Sequence, residues 1–458
     1  MNDANGGGLF GGLFDAGAAD TSDRAWLQAM LDTEAALARA AERAGLGPAG
    51  SGAAVTAVAR VDLFVNATLS TAAAATGNPV PALVKALTGL LPDESAAYAA
   101  DAIHVGATSQ DIIDTAAMLI ARQSIDATLA DLSTAAASCA RLTHTHADTV
   151  MAGRTLLQQA VPITFGLVTA GWLSAIDEAR QRLHEVRATR LAIQYGGAAG
   201  TLAPLGVQGP HVAELLAEEL ALQAPTLPWH TNRLRIIDLA AALTSACAAL
   251  GKIARDITLL AQTEVAEVSE ATPGGSSTMP HKQNPVAAIV ILGHTKRAPH
   301  LLATLASSAE QEHQRAAGAW HAESQPFSDL LRLTSSAASW SADLLTGLQV
   351  DPVRMRQNLD ATHGLTMAEH VTALLAPAIG RLEAHRLVAR ATVRASADDI
   401  TLAEALVIDE ETAAQLAACK ISRDQLQATL APTSYLGATR QFIARALAAH
   451  EGIGADLP

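Results

Sequence analysis

The chain has 458 residues, enough at ~150 residues per domain for about three folded units. Apolar residues make up 50% but aromatics only 3%, so the interior must be filled by Ala, Leu, Val and Ile, which favours closely packed helices. Lys and Arg number 31 against 45 Asp and Glu, a net charge of −14 that argues against nucleic acid or an anionic membrane as main partner and leaves any anion site to a local cluster.

The opening MNDANGGGLFGGLF contains Asp3 and no Lys or Arg. It lacks the basic start and unbroken apolar run of a secretory signal, so the cytoplasm is the default location, and its glycines predict a mobile stretch. Thr21, Ser22 and Asp23 offer an N-cap for an amphipathic helix in which Trp26, Met30, Thr33, Leu37, Ala40 and Ala44 share a face and Gly45 supplies the stop. Breaks are expected at Pro79 to Pro81 and at Pro92. Long helices are predicted over 110–145, 165–195 and 235–270, the last placing Ile253, Ile257, Leu260 and Val268 together.

Residues 155–176 carry no charge and are long enough to raise the question of a membrane span, but Gln158, Gln159, Pro162, Gly166 and Gly171 point to a buried bundle helix. Further breaks fall at 195–209, 272–285 and 350–352. Strand signals are scarce and no repeat of 20 to 50 residues appears. The plan is all-α, with an N-terminal helical domain (1–108), a central long-helix bundle (109–350) and a C-terminal helical domain (351–458). Cys139, Cys247 and Cys419 are odd in number, dispersed and outside any CxxC pattern, so neither a disulfide framework nor a zinc module is expected.

Between two long helices lies PGGSSTMPHKQNP, residues 273–285, with two serines and Lys282 on a backbone able to approach a ligand. By itself this reads first as a Ser-capped linker before the helix starting near Val286. Its string, however, matches at every fixed position the loop GSSxMPxKxNP, and the chain resembles the fumarase/aspartase superfamily. HVGATSQDIIDTA from His104, AGRTLLQQAVPITFGL from Ala152, YGGAAGTLAPLG from Tyr195, PWHTNR from Pro228 and QEHQRAAGAWHAE from Gln311 resemble the bacterial 3-carboxy-cis,cis-muconate cycloisomerases. The likeness runs from about Leu13 to about His450.

The resemblance implies a lactonisation of a tricarboxylate in the protocatechuate (β-ketoadipate) branch of aromatic catabolism, without metal or organic cofactor. It also implies a homotetramer whose long helices form a shared bundle and whose active sites draw segments from three subunits.

Ring closure adds one carboxylate across a double bond conjugated to another, and the charge developing on the α-carbon must be met by fixed cations and N–H donors. Lys282 is the first candidate, on a loop just ahead of a helix start whose dipole favours anions. Arg315 can grip a carboxylate with two bonds, its competing partner being Glu312. The resemblance makes Ser276 the proton-transfer group, with Ser277 its rival; either hydroxyl needs nearby cations to ionise. His104, Thr108 and Ser109 can donate to carboxylate oxygens, or cap a helix. Arg154, Gln158, Asn284 and Asn78 are further binding candidates, each balanced by a structural hydrogen bond.

The departures narrow the branch. Fumarases, argininosuccinate lyases and adenylosuccinate lyases place a histidine where this chain has Leu156, and adenylosuccinate lyases keep a glutamate where it has Ile289. A His-carboxylate relay at those positions is therefore impossible, which counts against an adenylosuccinate lyase-like β-elimination, the main alternative. A non-catalytic helical scaffold is the second alternative, and it has no use for an intact Ser-Lys loop. Gln159, Asn232, Leu234 and Gln283 also depart from the cycloisomerase pattern, so substrate identity is less firmly implied than fold.

Overall fold

The computed structural model describes residues 10–17, 19–275 and 278–456. Most of the described chain is helical, and six helices among the described residues exceed twenty residues: Asp23–Arg43, Ser109–Thr145, Phe165–Thr189, Leu234–Leu260, Val286–Ser307 and Ala319–Gly347. Helices of that length gain most of their stability from packing along an apolar face.

The first long element, Asp23–Arg43, starts where expected, with the Ser22 hydroxyl accepting from the Ala25 amide at 3.3 Å. Met30, Thr33, Leu37 and Ala40 are buried. Ahead of it Gly11–Phe14 forms a single helical turn, and residues 1–9 of the glycine-rich opening lie outside the described residues.

Three expectations are corrected. Residues 155–176 are not one buried helix: Val150–Thr155 and Gln158–Thr164 pair as an antiparallel hairpin, and the helix begins only at Phe165. Pro162 cannot donate inside a helix, and β-branched Val161, Ile163 and Thr164 suit a strand. Thr164 then takes the cap position, its hydroxyl accepting from the Leu167 amide at 3.2 Å. The hairpin turns through Leu156 and Leu157, both in left-handed conformations (φ 52° and 66°), as a two-residue turn of this hand requires.

The helix expected over 235–270 ends at Leu260, and Val268 instead pairs with Val350 in a two-stranded ladder. Likewise the helix from Phe165 stops at Thr189, short of 195. By length and apolarity Leu234–Leu260 resembles a membrane span, but half of its most apolar window is buried inside the protein, as in a core helix.

The chain divides into two compact units, each assembled from separate stretches: 1–133, 178–252 and 290–342 in the first, and 134–177, 253–289 and 343–458 in the second. Within the first, Leu31, Leu37, Ile112, Leu239, Leu330 and Ala337 are fully buried. The second holds a separate C-terminal core around Val371, Leu375, Val388, Leu406 and Leu426. All three cysteines are free thiols.

Candidate functional site

In the first unit the segment 104–109 leads into the helix that begins at Ser109. His104 adopts φ 59° and is held by Glu34, whose carboxylate takes both the His104 amide (2.9 Å) and its ring Nδ1 (2.7 Å). Glu34 is completely buried. Burial works against charging the His104 ring, but the hydrogen bond to Glu34 and the charges of Glu34 and Asp111 outweigh it and raise its pKa.

Thr108 and Ser109 stand half-buried at the helix start, and the Thr108 amide donates to Asp111 Oδ2 at 3.1 Å. Asp111, also buried, accepts from the Gly196 and Gly197 amides (3.1 and 2.9 Å) and bonds His230 Nε2 at 2.6 Å. The turn it grips must be glycine: a Cβ on Gly197, at φ 67°, would lie 2.7 Å from the Gly106 carbonyl.

Arg315 holds the same turn from its carbonyl side. Its Nη2 donates to the Gly197 carbonyl at 2.7 Å, Nε to that of Ala198 at 3.2 Å, and Nη1 to Gln110 Oε1 at 3.0 Å. The expected competitor, Glu312, instead accepts from the Ala317 amide. Burial lowers the Arg315 pKa, and Asp111 and Asp114 oppose this.

Behind it lies an ion-pair knot. Arg233, 2% exposed, bonds both oxygens of Asp114 (2.7 and 3.0 Å) and reaches Glu323 at 2.5 Å, while Trp320 Nε1 donates to Asp114 at 3.0 Å. Asn78, in the same unit, uses its Oδ1 to accept from the Val80 amide at 3.1 Å.

The second unit carries the other candidates. Arg154 forms two bonds with fully buried Glu267 (2.6 and 2.9 Å), and Asn358 Nδ2 donates to the same carboxylate at 2.9 Å. Gln158 is exposed beside the hairpin turn, and Gln159 donates to the Asn358 carbonyl at 3.0 Å.

The loop is closed at its stem by paired bonds between Gly274 and Asn284 (2.9 and 2.8 Å). Lys282 is exposed, its amide donating to the Met279 carbonyl at 3.0 Å. Ser276 and Ser277 lie outside the described residues. The helix start that follows is not open to a ligand anion as expected, because the Ala287 and Ala288 amides already bond the Glu270 carboxylate (3.2 and 3.0 Å).

His104, Thr108, Ser109, Arg315 and Asn78 thus fall in one unit, and Arg154, Gln158, Lys282 and Asn284 in the other. Among the described residues no cluster of three or more His, Cys, Asp or Glu is placed to hold a metal ion.

A family model described as "Lyase" matches residues 10–299, and one described as "Adenylosuccinate lyase C-terminus" matches 364–446. The chain belongs to this lyase family, within the fumarase/aspartase superfamily. It is 47% identical over 428 residues to a 3-carboxy-cis,cis-muconate cycloisomerase of Bradyrhizobium diazoefficiens, covering 93% of this chain and 94% of that protein. A nitrosuccinate lyase of Streptomyces davaonensis is 44% identical over 440 residues, covering 94% and 91%. The crystal structure of 3-carboxy-cis,cis-muconate lactonizing enzyme from Pseudomonas putida superposes with a TM-score of 0.88 at 42% identity, covering 97% of this chain and 99% of that one.

The lyase fold therefore carries residues that sequence reasoning passed over: Glu34, Asp111, His230, Arg233, Glu267, Glu270 and Glu323. Several lie inside the segments that carry the resemblance, Asp111 in HVGATSQD and His230 and Arg233 in PWHTNR. Glu34 sits amid a buried apolar face, so its signal was an acid where the helical period calls for an apolar residue.

Proposed function

We propose that this chain converts 3-carboxy-cis,cis-muconate to 4-carboxymuconolactone by intramolecular addition of a carboxylate, with no metal or organic cofactor. The observation that carries the reading is near-full-length similarity to proteins of that name, joined to an intact GSSTMPHKQNP loop whose stem is clamped while Lys282 is presented to solvent.

In this reading one carboxylate oxygen of the substrate bonds to the far carbon of a double bond, and the electron pair moves to the α-carbon and onto its carboxylate. The Lys282 ammonium meets that charge, and Ser276 delivers the proton to the α-carbon; Ser277 is the rival donor. Arg315, His104, Thr108 and Ser109 bind substrate carboxylates, with Gln158 and Asn284 as further contacts. His104 suits the part because the bond from Nδ1 to Glu34 holds the ring and favours its charged form. Arg154 and Asn78 are assigned instead to holding the scaffold, through Glu267 and the Val80 amide.

The active assembly is a homotetramer in the cytoplasm, its sites completed by segments from three copies. Two observations support this: the candidates are distributed over two units, and Leu156 and Leu157 are 95% and 72% exposed on a left-handed turn that costs leucine ~1 to 2 kcal/mol per residue. Apolar side chains kept at such a tip suit burial against another copy. The partner is a small tricarboxylate; the net charge of −14 disfavours nucleic acid or an anionic membrane.

Loss of the conjugated diene absorbance on adding 3-carboxy-cis,cis-muconate tests the assignment, and an unchanged spectrum rejects it. A second reading, β-elimination from nitrosuccinate, is favoured by the 44% identity to the Streptomyces enzyme. Release of nitrite from nitrosuccinate, with the diene left intact, would establish it.

A further inference from the structure

Glu270 is 7% exposed, yet it lies next to a loop whose Lys282 is exposed. Pro285 precedes the helix Val286–Ser307 and brings no side-chain acceptor, and the first turn of that helix contains no acidic residue. The missing acceptors come from sixteen residues upstream of Val286, where each Glu270 oxygen takes one first-turn amide, of Ala287 and of Ala288. A negative charge there also complements the positive end of the helix dipole.

The loop is therefore pinned at two levels. The Gly274 and Asn284 pair closes it, and Glu270 ties the strand that enters it to the helix that leaves it. Gly274 has to be glycine for this closure, since a Cβ would meet Val286 Cγ2 at 2.2 Å. Lys282 lies two residues before Asn284, so its backbone position is set by this stem.

We propose that Glu270 is a positioning residue for Lys282: its carboxylate is an internal anion that occupies the helix start, fixes the exit of the loop and so aims the ammonium. It also reserves that helix end, so substrate carboxylates are met by side chains and not by helix amides. The proposal rests on the reading of Lys282 as the group that meets the developing charge.

The test uses the full-length protein and its Glu270→Ala and Glu270→Gln variants. Glu270→Ala is expected to lower kcat at least ~10-fold with KM within threefold, because aim matters most in the transition state. Glu270→Gln, which keeps one acceptor oxygen, should fall between it and the parent. Formate, a small carboxylate that can enter the vacated helix start, should restore part of the Glu270→Ala turnover, whereas chloride at equal ionic strength should not.

Amide exchange is the readout that needs no substrate. Both the Ala287 and Ala288 amides should exchange at least ~10-fold faster in Glu270→Ala and at least one of them in Glu270→Gln, and if Glu270→Ala does not fold, Glu270→Gln carries the comparison. Unchanged exchange, or turnover within twofold of the parent in both variants, overturns the proposal. If the parent protein leaves 3-carboxy-cis,cis-muconate untouched, the functional reading fails while the exchange result still decides the cap.

Discussion

In the first unit the candidate binding groups are tied to buried carboxylates: His104 to Glu34, the 196–197 turn to Asp111, and the ground behind Arg315 to Asp114 and Glu323. In the second, Lys282 and Gln158 stand exposed, Gln158 at the end of the paired hairpin whose Arg154 bonds Glu267, and Lys282 on the loop whose exit helix is held by Glu270. One region is a preset cradle, its donors oriented before any ligand arrives. The other is a pair of arms whose candidate side chains face solvent. The two kinds of placement should respond to mutation in opposite ways, stability failing first in the cradle and turnover first on the arms.

The largest effect is expected in the cradle. Arg233→Met leaves Asp114 and Glu323 facing each other in a buried space without their cation. Burial already raises the Glu323 pKa even with the Arg233 bonds pulling it down. Breaking a buried pair by removing one partner costs about 3–5 kcal/mol, so denaturant unfolding should show a loss of that order, partly recovered at lower pH as the carboxylates take up protons. A loss under ~1 kcal/mol would show that apolar packing, not this knot, holds the cradle.

On the arm, Lys282→Met should leave the melting temperature nearly unchanged, because the side chain is exposed. It should cut kcat/KM by at least ~100-fold, equivalent to ~2.7 kcal/mol of transition-state stabilisation. Steady-state kinetics beside a thermal melt decides this. Near-normal turnover would remove Lys282 from the mechanism, and a large drop in melting temperature would make it part of the scaffold instead.

The same contrast explains what could be read from the sequence. The loop was legible because its chemistry is written in consecutive residues, Gly274 to Pro285, and an exposed arm needs little else. Ser22 was legible because its bond is local. The cradle was not, since Asp111, His230, Arg233 and Glu323 lie far apart along the chain and meet only after folding, and an acid on an amphipathic helix, such as Glu34, ordinarily reads as solvated. The hairpin was missed for a different reason. Its turn is Leu156-Leu157 in place of the Asn-Gly that usually marks one, so no local signal separates the two strands.

Between the extremes lies Asn78, whose Oδ1 accepts from the Val80 amide at the start of a ten-residue helix. Asn78→Ala should cost about 1 kcal/mol, the usual loss for a helix-start acceptor. Asn78→Asp keeps the acceptor and should cost nothing measurable, with KM within threefold. A tenfold rise in KM for the aspartate variant would move Asn78 into the substrate site, since an added negative charge would then repel the tricarboxylate.

The smallest effect expected is a drift with pH. The folded pKa of His104 is raised by Glu34 and Asp111 above the ~6.5 of an unfolded histidine. The stability this pair contributes is therefore fully present below that unfolded value and is lost as pH rises through the folded one. His294, also in the first unit, has the opposite sign. Burial depresses its pKa to about 4, so the folded state is increasingly penalised as pH falls from ~6.5 toward that value. Unfolding free energies measured for the parent protein and for His104→Asn should differ most near pH 6 and converge toward pH 9. A difference that stays constant across the window would mean the His104 and Glu34 bond is made by a neutral ring, and the cradle would then hold one cation fewer.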